Sequence, residues 1–215
     1  MIITYYGHSF FTLALENGMT IALDPYGDFY DYPKRSVQAD VCLISHHHHD
    51  HDGVSSLRPG AKIIDQPGLH SLADGVTVTG ISTWHDDRQG ALRGPNIFYI
   101  VEAEGLRIGH AGDLGCMPDE SALSQIGGLD VLMLPVGGCY TIDAAQARQI
   151  ANRLSPRVVI PMHYQTSCDP EMPIAPVTAF LSLMGAQDAQ APLLRVTAAD
   201  IGQRPPVVTL AVRQG

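Results

Sequence analysis

The hydrophobic and polar residues of this 215-residue chain fall mostly into short runs, which is the pattern typical of β-strands. Segment 76–83 alternates between the two classes and predicts a half-buried strand, whereas segment 130–136 is largely apolar and predicts a strand covered on both faces. Glu16-Asn17-Gly18 and Glu104-Gly105 predict hairpin turns. Together these patterns predict strands at 1–5, 10–15, 19–23, 41–44, 62–66, 76–83, 96–103, 106–110, 130–136, 157–161, 193–197 and 207–212, and helices at 53–57, 118–126, 144–154 and 176–184.

The composition fits one mixed α/β domain that spans residues 1–215. Apolar residues make up 45% of the chain and charged residues 16%, and the length allows a sizeable core without division into domains. No low-complexity tract, charge run or linker interrupts the pattern of strands and helices. We therefore expect a single α/β domain.

The charge and the cysteines restrict the classes of partner. A net charge of −9 with only 13 Lys and Arg residues argues against a nucleic-acid partner. The 4 cysteines form no C-x-x-C pair, which favours free thiols in a reducing, cytoplasmic compartment. The first residues lack the positive region of a secretory signal, and no apolar run is long enough to cross a bilayer, so we expect no membrane partner. These features are compatible with a homo-oligomer.

The segment after the predicted strand 41–44 reads Ser-His-His-His-His-Asp-His-Asp-Gly and contains the pattern H-x-H-x-D-H. It offers the imidazoles of His46, His48 and His51 and the carboxylate of Asp50. Alternate residues that leave a strand point the same way, so His46 and His48 can bind one metal ion. Asp50 and His51 follow the turn and can face a second ion. Imidazole and carboxylate groups suit zinc and similar first-row metals, so we predict a metal site here.

Three further residues with side chains that can bind a metal ion each follow a predicted strand: His85, Asp113 and His163. Glycines on both sides of Asp113 allow the backbone to turn sharply and bring its carboxylate close to another group. Because a carboxylate has two oxygens, Asp113 is the candidate that could bridge two ions. The predicted ligands are therefore His46, His48 and His85 for site one and Asp50, His51 and His163 for site two, with Asp113 between them.

Two neighbouring residues receive other interpretations. Asp24 ends the strand 19–23 beside a proline, where a carboxylate either caps the turn or accepts an imidazole N–H and braces the histidine loop. We favour the second interpretation. His110 would point the opposite way to a neighbour on its strand, and we expect it to be buried outside the ligand set.

The order of these elements resembles that of the metallo-β-lactamase superfamily. The short sequence motifs around these residues resemble a narrower branch of that superfamily. This branch contains the short bacterial and archaeal metal-dependent hydrolases related to ascorbate-6-phosphate lactonase. The resemblance runs from residue 1 to about residue 165 and implies a four-layer αβ/βα sandwich with the site along one edge of two packed sheets. It rests on Asp24, the loop from His46 to His51, Trp84-His85, His110-Ala111-Gly112-Asp113, Pro161-Met162-His163-Tyr164 and Tyr6-Gly7-His8-Ser9.

The resemblance implies an enzyme with two divalent metal ions as cofactors, Zn²⁺ first and Mn²⁺ as the alternative. A hydroxide that bridges the two ions would attack a small-molecule ester, lactone or phosphodiester, and Asp50 would orient it and take its proton. Tyr140 and Arg93 are candidate substrate contacts, whereas for Asn96 and His8 we favour structural roles. The alternatives are a metal-bound redox or sulfur-handling protein on the same fold, or a metal binder without catalysis.

Overall fold

In the computed structural model, which describes residues 1–214, two mixed sheets of six strands each pack face to face. The first sheet begins with an antiparallel meander around the predicted turn at Glu16, and continues with two parallel neighbours. Its strands, in spatial order, are β12 (Leu194–Arg195), β1 (Ile2–Gly7), β2 (Phe10–Ala14), β3 (Thr20–Leu23), β4 (Val41–Leu43) and β5 (Lys62–Ile64).

The second sheet contains the hairpin predicted at Glu104 and Gly105. The three strands of this sheet that come last in the chain run parallel to one another, and the final two are buried along their whole length. In spatial order the strands are β11 (Val158–Met162), β10 (Val131–Pro135), β9 (Leu106–His110), β8 (Pro95–Ala103), β7 (Thr77–Trp84) and β6 (Gly68–Ser71).

Three α-helices, α1 (Glu120–Ile126), α2 (Ala144–Leu154) and α3 (Thr178–Met184), complete the α/β sandwich. The N-terminus of α2 is held by a capping box, in which the side chain of Asp143 accepts from the Gln146 amide and the Gln146 side chain accepts from the Asp143 amide. The buried face of α2 packs on β10 and on α3. The predicted α/β sandwich is confirmed.

The main core lies between the sheets, where apolar side chains from both inner faces interdigitate. A smaller aromatic cluster covers the outer face of the first sheet; it includes Phe10, Tyr26, Phe29 and Tyr32. Phe29 packs against the ring of His8, so this cluster reaches the strand ends that carry the metal-type residues.

Several predicted boundaries were wrong. Residues 207–212 form only isolated bridges, of Val207 with Val159 in β11 and of Leu210 with Ala191. Segment 53–57 is a single 3₁₀ turn, Val54–Ser56, and the edge strand β6 was missed because its Gly-Leu-His-Ser sequence is exposed and lacks alternation. The other predicted strands and helices are present within a few residues of their predicted ends.

The metal-type residues follow strand ends that meet at one edge of the two sheets. The strands β1, β3, β4, β7, β9 and β11 lead into His8, Asp24, His46, His85, Asp113 and His163, respectively. None of the helices in residues 1–214 combines the length and apolar character that crossing a bilayer requires.

Candidate metal centre

The histidine-rich loop leaves β4 and folds back in a tight turn. The amides of His51 and Asp52 both donate to the carbonyl of His48, at 2.9 and 3.1 Å. Gly53 closes the loop by donating to the carbonyl of Pro25 at 2.7 Å. A Cβ at Gly53 would lie 2.1 Å from the backbone nitrogen of Gly27, so only glycine fits at this close approach. The turn therefore holds the imidazoles of the loop in a fixed arrangement.

The structure brings together the three residues predicted for site one. One ring nitrogen from each of His46, His48 and His85 lies within 4.8 Å of the others. His46 and His85 are buried, whereas His48 is exposed at the surface. The three imidazoles therefore form a cluster that is open to solvent at His48.

The three residues predicted for site two also lie together. Ligand atoms of Asp50, His51 and His163 lie within 4.8 Å of one another, and His8 joins the same group. The Nε2 of His8 lies 3.2 Å from Oδ2 of Asp50, and the rings of His8 and His163 are 4.1 Å apart. His8, for which we favoured a structural role, is thus in direct contact with this cluster.

Asp113 lies between the two clusters, with Oδ2 near members of both and Oδ1 near a member of the second. Its Oδ2 is 3.2 Å from Nε2 of His85 and 3.3 Å from Nε2 of His163, and its Oδ1 is 3.1 Å from Nε2 of His51. The Nε2 of His46 is 3.8 Å from Oδ2. Asp113 therefore contacts members of both clusters.

The spacing of the donor atoms suits metal coordination better than hydrogen bonding between the side chains themselves. Buried Nε2 of His46, Nε2 of His51 and Oδ1 of Asp113 have no hydrogen-bond partner of suitable geometry within residues 1–214. Two donors at about 2.1 Å from a tetrahedral zinc ion are separated by about 3.4 Å. The separations of 3.1–3.8 Å around Asp113 match that spacing. These residues are therefore suited to hold cations.

The protonation states of Asp113 and His46 favour cation binding as well. Burial opposes ionisation of Asp113, but His163 and His51 outweigh it and hold the pKa of that carboxyl well below its usual range. Burial lowers the pKa of His46 to about 3, assisted by the charge of His51. The carboxylate is thus ionised and His46 is neutral near pH 7, and metal ligands must be in these states.

Asp24 braces the loop from behind. Its Oδ1 accepts from the Ser45 amide at 2.7 Å, and its Oδ2 accepts from the Ser45 hydroxyl at 2.6 Å. The same Oδ2 lies 2.9 Å from Nδ1 of His51. His110 is buried and makes its closest ring contact with the carbonyl of Ser9, at 3.0 Å. The carboxylate therefore contacts the histidine loop directly. Asp24 also forms, with His46 and His51, a third group of potential metal ligands beside the two clusters, and His110 lies outside all three groups.

Asn96 holds the turn that carries Asp113. Its amide nitrogen donates to the hydroxyl of Thr83 at 2.7 Å and to the carbonyl of Ala111 at 2.9 Å, and its oxygen accepts from the Asp113 amide at 2.9 Å. Gly112 packs so closely here that a Cβ would lie 2.4 Å from the Asn96 oxygen. These contacts give Asn96 the structural role favoured from the sequence.

A cavity of about 390 Å³ opens over the two clusters. His48, Asp50, His85, Asp113 and His163 are among the residues that face it. The remaining wall is largely aromatic and contains one cation; it includes Phe29, Tyr30, Arg93, Tyr140 and Met172. The structure thus places both predicted substrate contacts, Arg93 and Tyr140, at this cavity.

Comparison with known proteins identifies the family. A family model described as a beta-lactamase superfamily domain matches residues 2–163. A UPF0173 metal-dependent hydrolase from Thermococcus onnurineus is 30% identical, and the match covers 79% of this chain and 88% of the relative. A solved structure from Thermotoga maritima, assigned to the metallo-β-lactamase superfamily, is 32% identical with a TM-score of 0.81 and covers 99% of this chain and 100% of its own.

The chain belongs to the metallo-β-lactamase superfamily. The matched region agrees with the span of the resemblance inferred from the sequence. A metallo hydrolase from Ignicoccus hospitalis shares the superfamily fold, with 24% identity, a TM-score of 0.68 and coverage of 91% of this chain and 99% of its own. At that identity the similarity shows the fold alone.

Sequence reasoning missed one residue of this metallo-β-lactamase centre, Asp86. Buried beside His85, its carboxylate accepts four backbone N–H groups of the following loop, from Arg88, Gly90, Leu92 and Arg93, at 2.7–2.9 Å. Burial raises the pKa of this carboxyl, but the four donors outweigh burial and lower the pKa to about 2. A signal existed in the sequence, since an Asp that opens a loop with glycines often accepts backbone N–H groups.

Proposed function

We propose that this chain is a metal-dependent hydrolase that holds two divalent cations at the strand ends. The observation that carries the proposal is the position of Asp113, whose Oδ2 lies near His85 of the first cluster and His163 of the second, while its Oδ1 lies near His51 of the second. The similarity to metal-dependent hydrolases such as the one from Thermococcus onnurineus supports the reaction class. We assign His46, His48 and His85 to one ion, Asp50, His51 and His163 to the other, and Asp113 to both.

The donor set favours zinc, with manganese as the alternative. Five imidazoles and two carboxylates are proposed ligands, and neutral imidazole with carboxylate is a common zinc ligand set. Closed structural zinc sites usually contain cysteine, whereas neither cluster includes one of the four cysteines. Both clusters adjoin the cavity through exposed or half-buried members, as a catalytic site requires.

When bound, two divalent cations would lower the pKa of a bridging water to about 7 and polarise the carbonyl or phosphoryl oxygen of a substrate. The chain's own contribution centres on Asp50, which is half-buried at the cavity wall. Burial raises the pKa of Asp50, but the hydrogen bond from His8 and the charge of His51 outweigh it and hold the pKa below its ordinary value. Asp50 is thus ionised, and it would orient the attacking oxygen and accept its proton.

The cavity sets the size of the substrate. A volume of about 390 Å³ lies at the small end of the range for ligand pockets. We therefore propose a small ester, lactone or phosphodiester. The Tyr140 side chain at the cavity wall could donate to the developing negative charge on such a substrate.

The test starts with the metal content of the purified protein. We expect close to two zinc or manganese ions per chain, loss of activity after chelation, and recovery when zinc or manganese is restored. Activity would be measured on a chromogenic phosphodiester, a lactone and 4-nitrophenyl esters. Iron in the site together with reaction with dioxygen or a persulfide would instead identify the redox or sulfur-handling alternative, and two bound ions without turnover would identify a non-catalytic binder.

A further inference from the structure

Arg93 is a cation without a carboxylate partner at the wall of the cavity. Arg107, Arg153, Arg157 and Arg204 each pair with an acidic side chain. Among residues 1–214, no carboxylate forms such a pair with Arg93, whose guanidinium instead donates one hydrogen bond to a backbone carbonyl, that of Cys139, at 3.2 Å. Four of its five N–H groups are left for a ligand.

The guanidinium is held in place from two sides. Its central carbon lies 5.8 Å from the centre of the Tyr140 ring, within the range of a cation–π contact. The backbone of Arg93 is fixed by the Asp86 carboxylate, which accepts its amide at 2.7 Å. The Asp86 contacts extend over the whole loop from Arg88, so the loop is tied at several points. A side chain that is ordered before binding loses little conformational entropy when a ligand arrives.

Arg93 is the one Lys or Arg side chain that lines the cavity within the described residues. The neighbouring carboxylates Asp50 and Asp113 face the proposed cations, whose charges would outweigh theirs. With the ions bound, the cavity of this acidic chain would therefore be locally positive. A positive cavity with a planar bidentate donor on its wall suits a carboxylate or a phosphate group.

We propose that Arg93, held by Asp86 and Tyr140, is the specificity-determining residue that recognises an oxyanion group on the substrate. This inference rests on the proposed function and narrows its substrate class. The substrate would carry a carboxylate or phosphate in addition to the ester, lactone or phosphodiester bond that is broken. The aromatic wall formed by Phe29 and Tyr30 would contact the body of that molecule.

The test compares two esters that share a leaving group and acyl length, the neutral 4-nitrophenyl butyrate and the anionic mono-4-nitrophenyl succinate, on zinc-loaded protein. We expect Arg93→Gln to lower kcat/KM for the succinate ester by about tenfold or more, chiefly through KM, because a charge-assisted bidentate contact is lost. For the butyrate ester we expect a change within about twofold. Arg93→Lys should fall between, because it keeps the charge without the bidentate geometry. The matched control is Arg148→Gln, which removes an exposed charge on α2 and should leave both esters unchanged.

An equal loss on both esters, or no loss on the succinate ester, would overturn the assignment of Arg93. If the wild type with zinc bound hydrolyses neither these esters nor the phosphodiester and the lactone, the proposed function fails instead, and equilibrium binding tests Arg93 separately. Calorimetry with succinate and with inorganic phosphate would then compare the wild type with Arg93→Gln. Binding weakened about tenfold for either anion supports the proposal and identifies the anion, whereas equal binding by both proteins, or no binding by the wild type, overturns it.

Discussion

Asp24 and His51 are in contact at 2.9 Å, from the carboxylate Oδ2 to the ring Nδ1, and both side chains are buried. The pKa of Asp24 is lowered: burial raises it, but the hydrogen bond and charge of His51 outweigh burial. An ionised carboxylate only accepts hydrogen bonds, so Nδ1 of His51 must carry the proton. The other ring nitrogen, Nε2, faces Asp113 at 3.1 Å. Burial lowers the pKa of His51, but Asp113 and Asp24 outweigh burial and raise the pKa well above its usual range, so a bound cation would take the place of a proton at Nε2. One buried contact thus fixes the tautomer that a metal ligand needs.

Replacing Asp24 by Asn is predicted to weaken zinc binding by about 10–100-fold. The amide has one acceptor oxygen. If this oxygen keeps the hydrogen bond from the Ser45 amide, the new nitrogen faces Nδ1 of His51, so the proton of His51 is expected to shift to Nε2 and block the proposed ligand atom. The backbone at Asp24 has a φ of 44°, which Asn tolerates, so the variant should fold. Zinc affinity would be measured by competition with a chelating dye.

Asp28→Asn is the matched control for this variant. Asp28 is exposed and pairs with Lys34, so its loss should leave zinc affinity unchanged. Equal affinity in Asp24→Asn and the wild type would show that Asp24 does not set the state of His51.

Replacing His48 by Ala is predicted to abolish hydrolysis while the free energy of unfolding of the metal-free protein changes by no more than about 0.5 kcal/mol. His48 is exposed, so little packing is lost, but its cluster would keep only His46 and His85 as imidazole donors. Metal analysis should find one ion rather than two. The neighbouring His47→Ala changes an exposed histidine outside the three candidate ligand groups and should keep both ions. Full turnover by His48→Ala would remove His48 from the site.

The convergence of His85, Asp113 and His163 was predictable because each follows a strand, and strand ends in packed sheets share an edge. The two-sided placement of Asp113 was predictable for a similar reason, since glycines beside it mark a sharp turn. These features depend on local patterns that periodicity and glycine positions reveal. They explain why the residues predicted for each site lie close together in the structure.

The contact between His8 and Asp50 was not predictable in this way. The two residues are 42 positions apart, and the local sequence of His8 shows only a break after a strand. The edge strand β6 was missed for a different reason, because an exposed edge needs no hydrophobic alternation. Contacts across the chain and exposed edges therefore required the structure.

Replacing Asp50 by Asn is predicted to lower kcat by about 10²–10⁴-fold at saturating zinc, since the amide cannot accept the proton. The hydrogen bond with His8 can persist, because an amide oxygen also accepts. Asp52→Asn changes the next carboxylate of the same loop, which lies 3.5 Å from His47 and outside the candidate ligand groups. We expect the kcat of Asp52→Asn to stay within about threefold of the wild-type value. Metal content would be measured for both variants. A similar kcat in Asp50→Asn and the wild type would contradict the role of Asp50 as the base.

Replacing Gly112 by Ala is predicted to destabilise the fold by more than about 2 kcal/mol and to lower metal content. Its φ of +56° is unfavourable for alanine, and the new Cβ would lie 2.4 Å from Oδ1 of Asn96 and 2.6 Å from Cβ of Ser45. Gly75→Ala is the matched control, because its φ is +73° but no atom lies within 4 Å of the new Cβ. Urea unfolding would separate the two contributions. Equal destabilisation of the two variants would show that the packing around Gly112 contributes nothing.

Replacing Asp86 by Asn is predicted to loosen the loop that carries Arg93 without removing any proposed metal ligand. The amide nitrogen cannot accept, so at least two of the four backbone N–H groups would lose their partner. Hydrogen exchange should become faster by about tenfold or more at the two amides that face the new nitrogen, either Leu92 and Arg93 or Arg88 and Gly90, because each lost bond to a charged acceptor is worth about 1.5–3 kcal/mol. The preference for the anionic over the neutral ester should fall as well, with less effect on the neutral ester. Asp87→Asn changes the exposed neighbour and should alter neither measurement. Unchanged exchange together with an unchanged preference would show that Asp86 does not position Arg93.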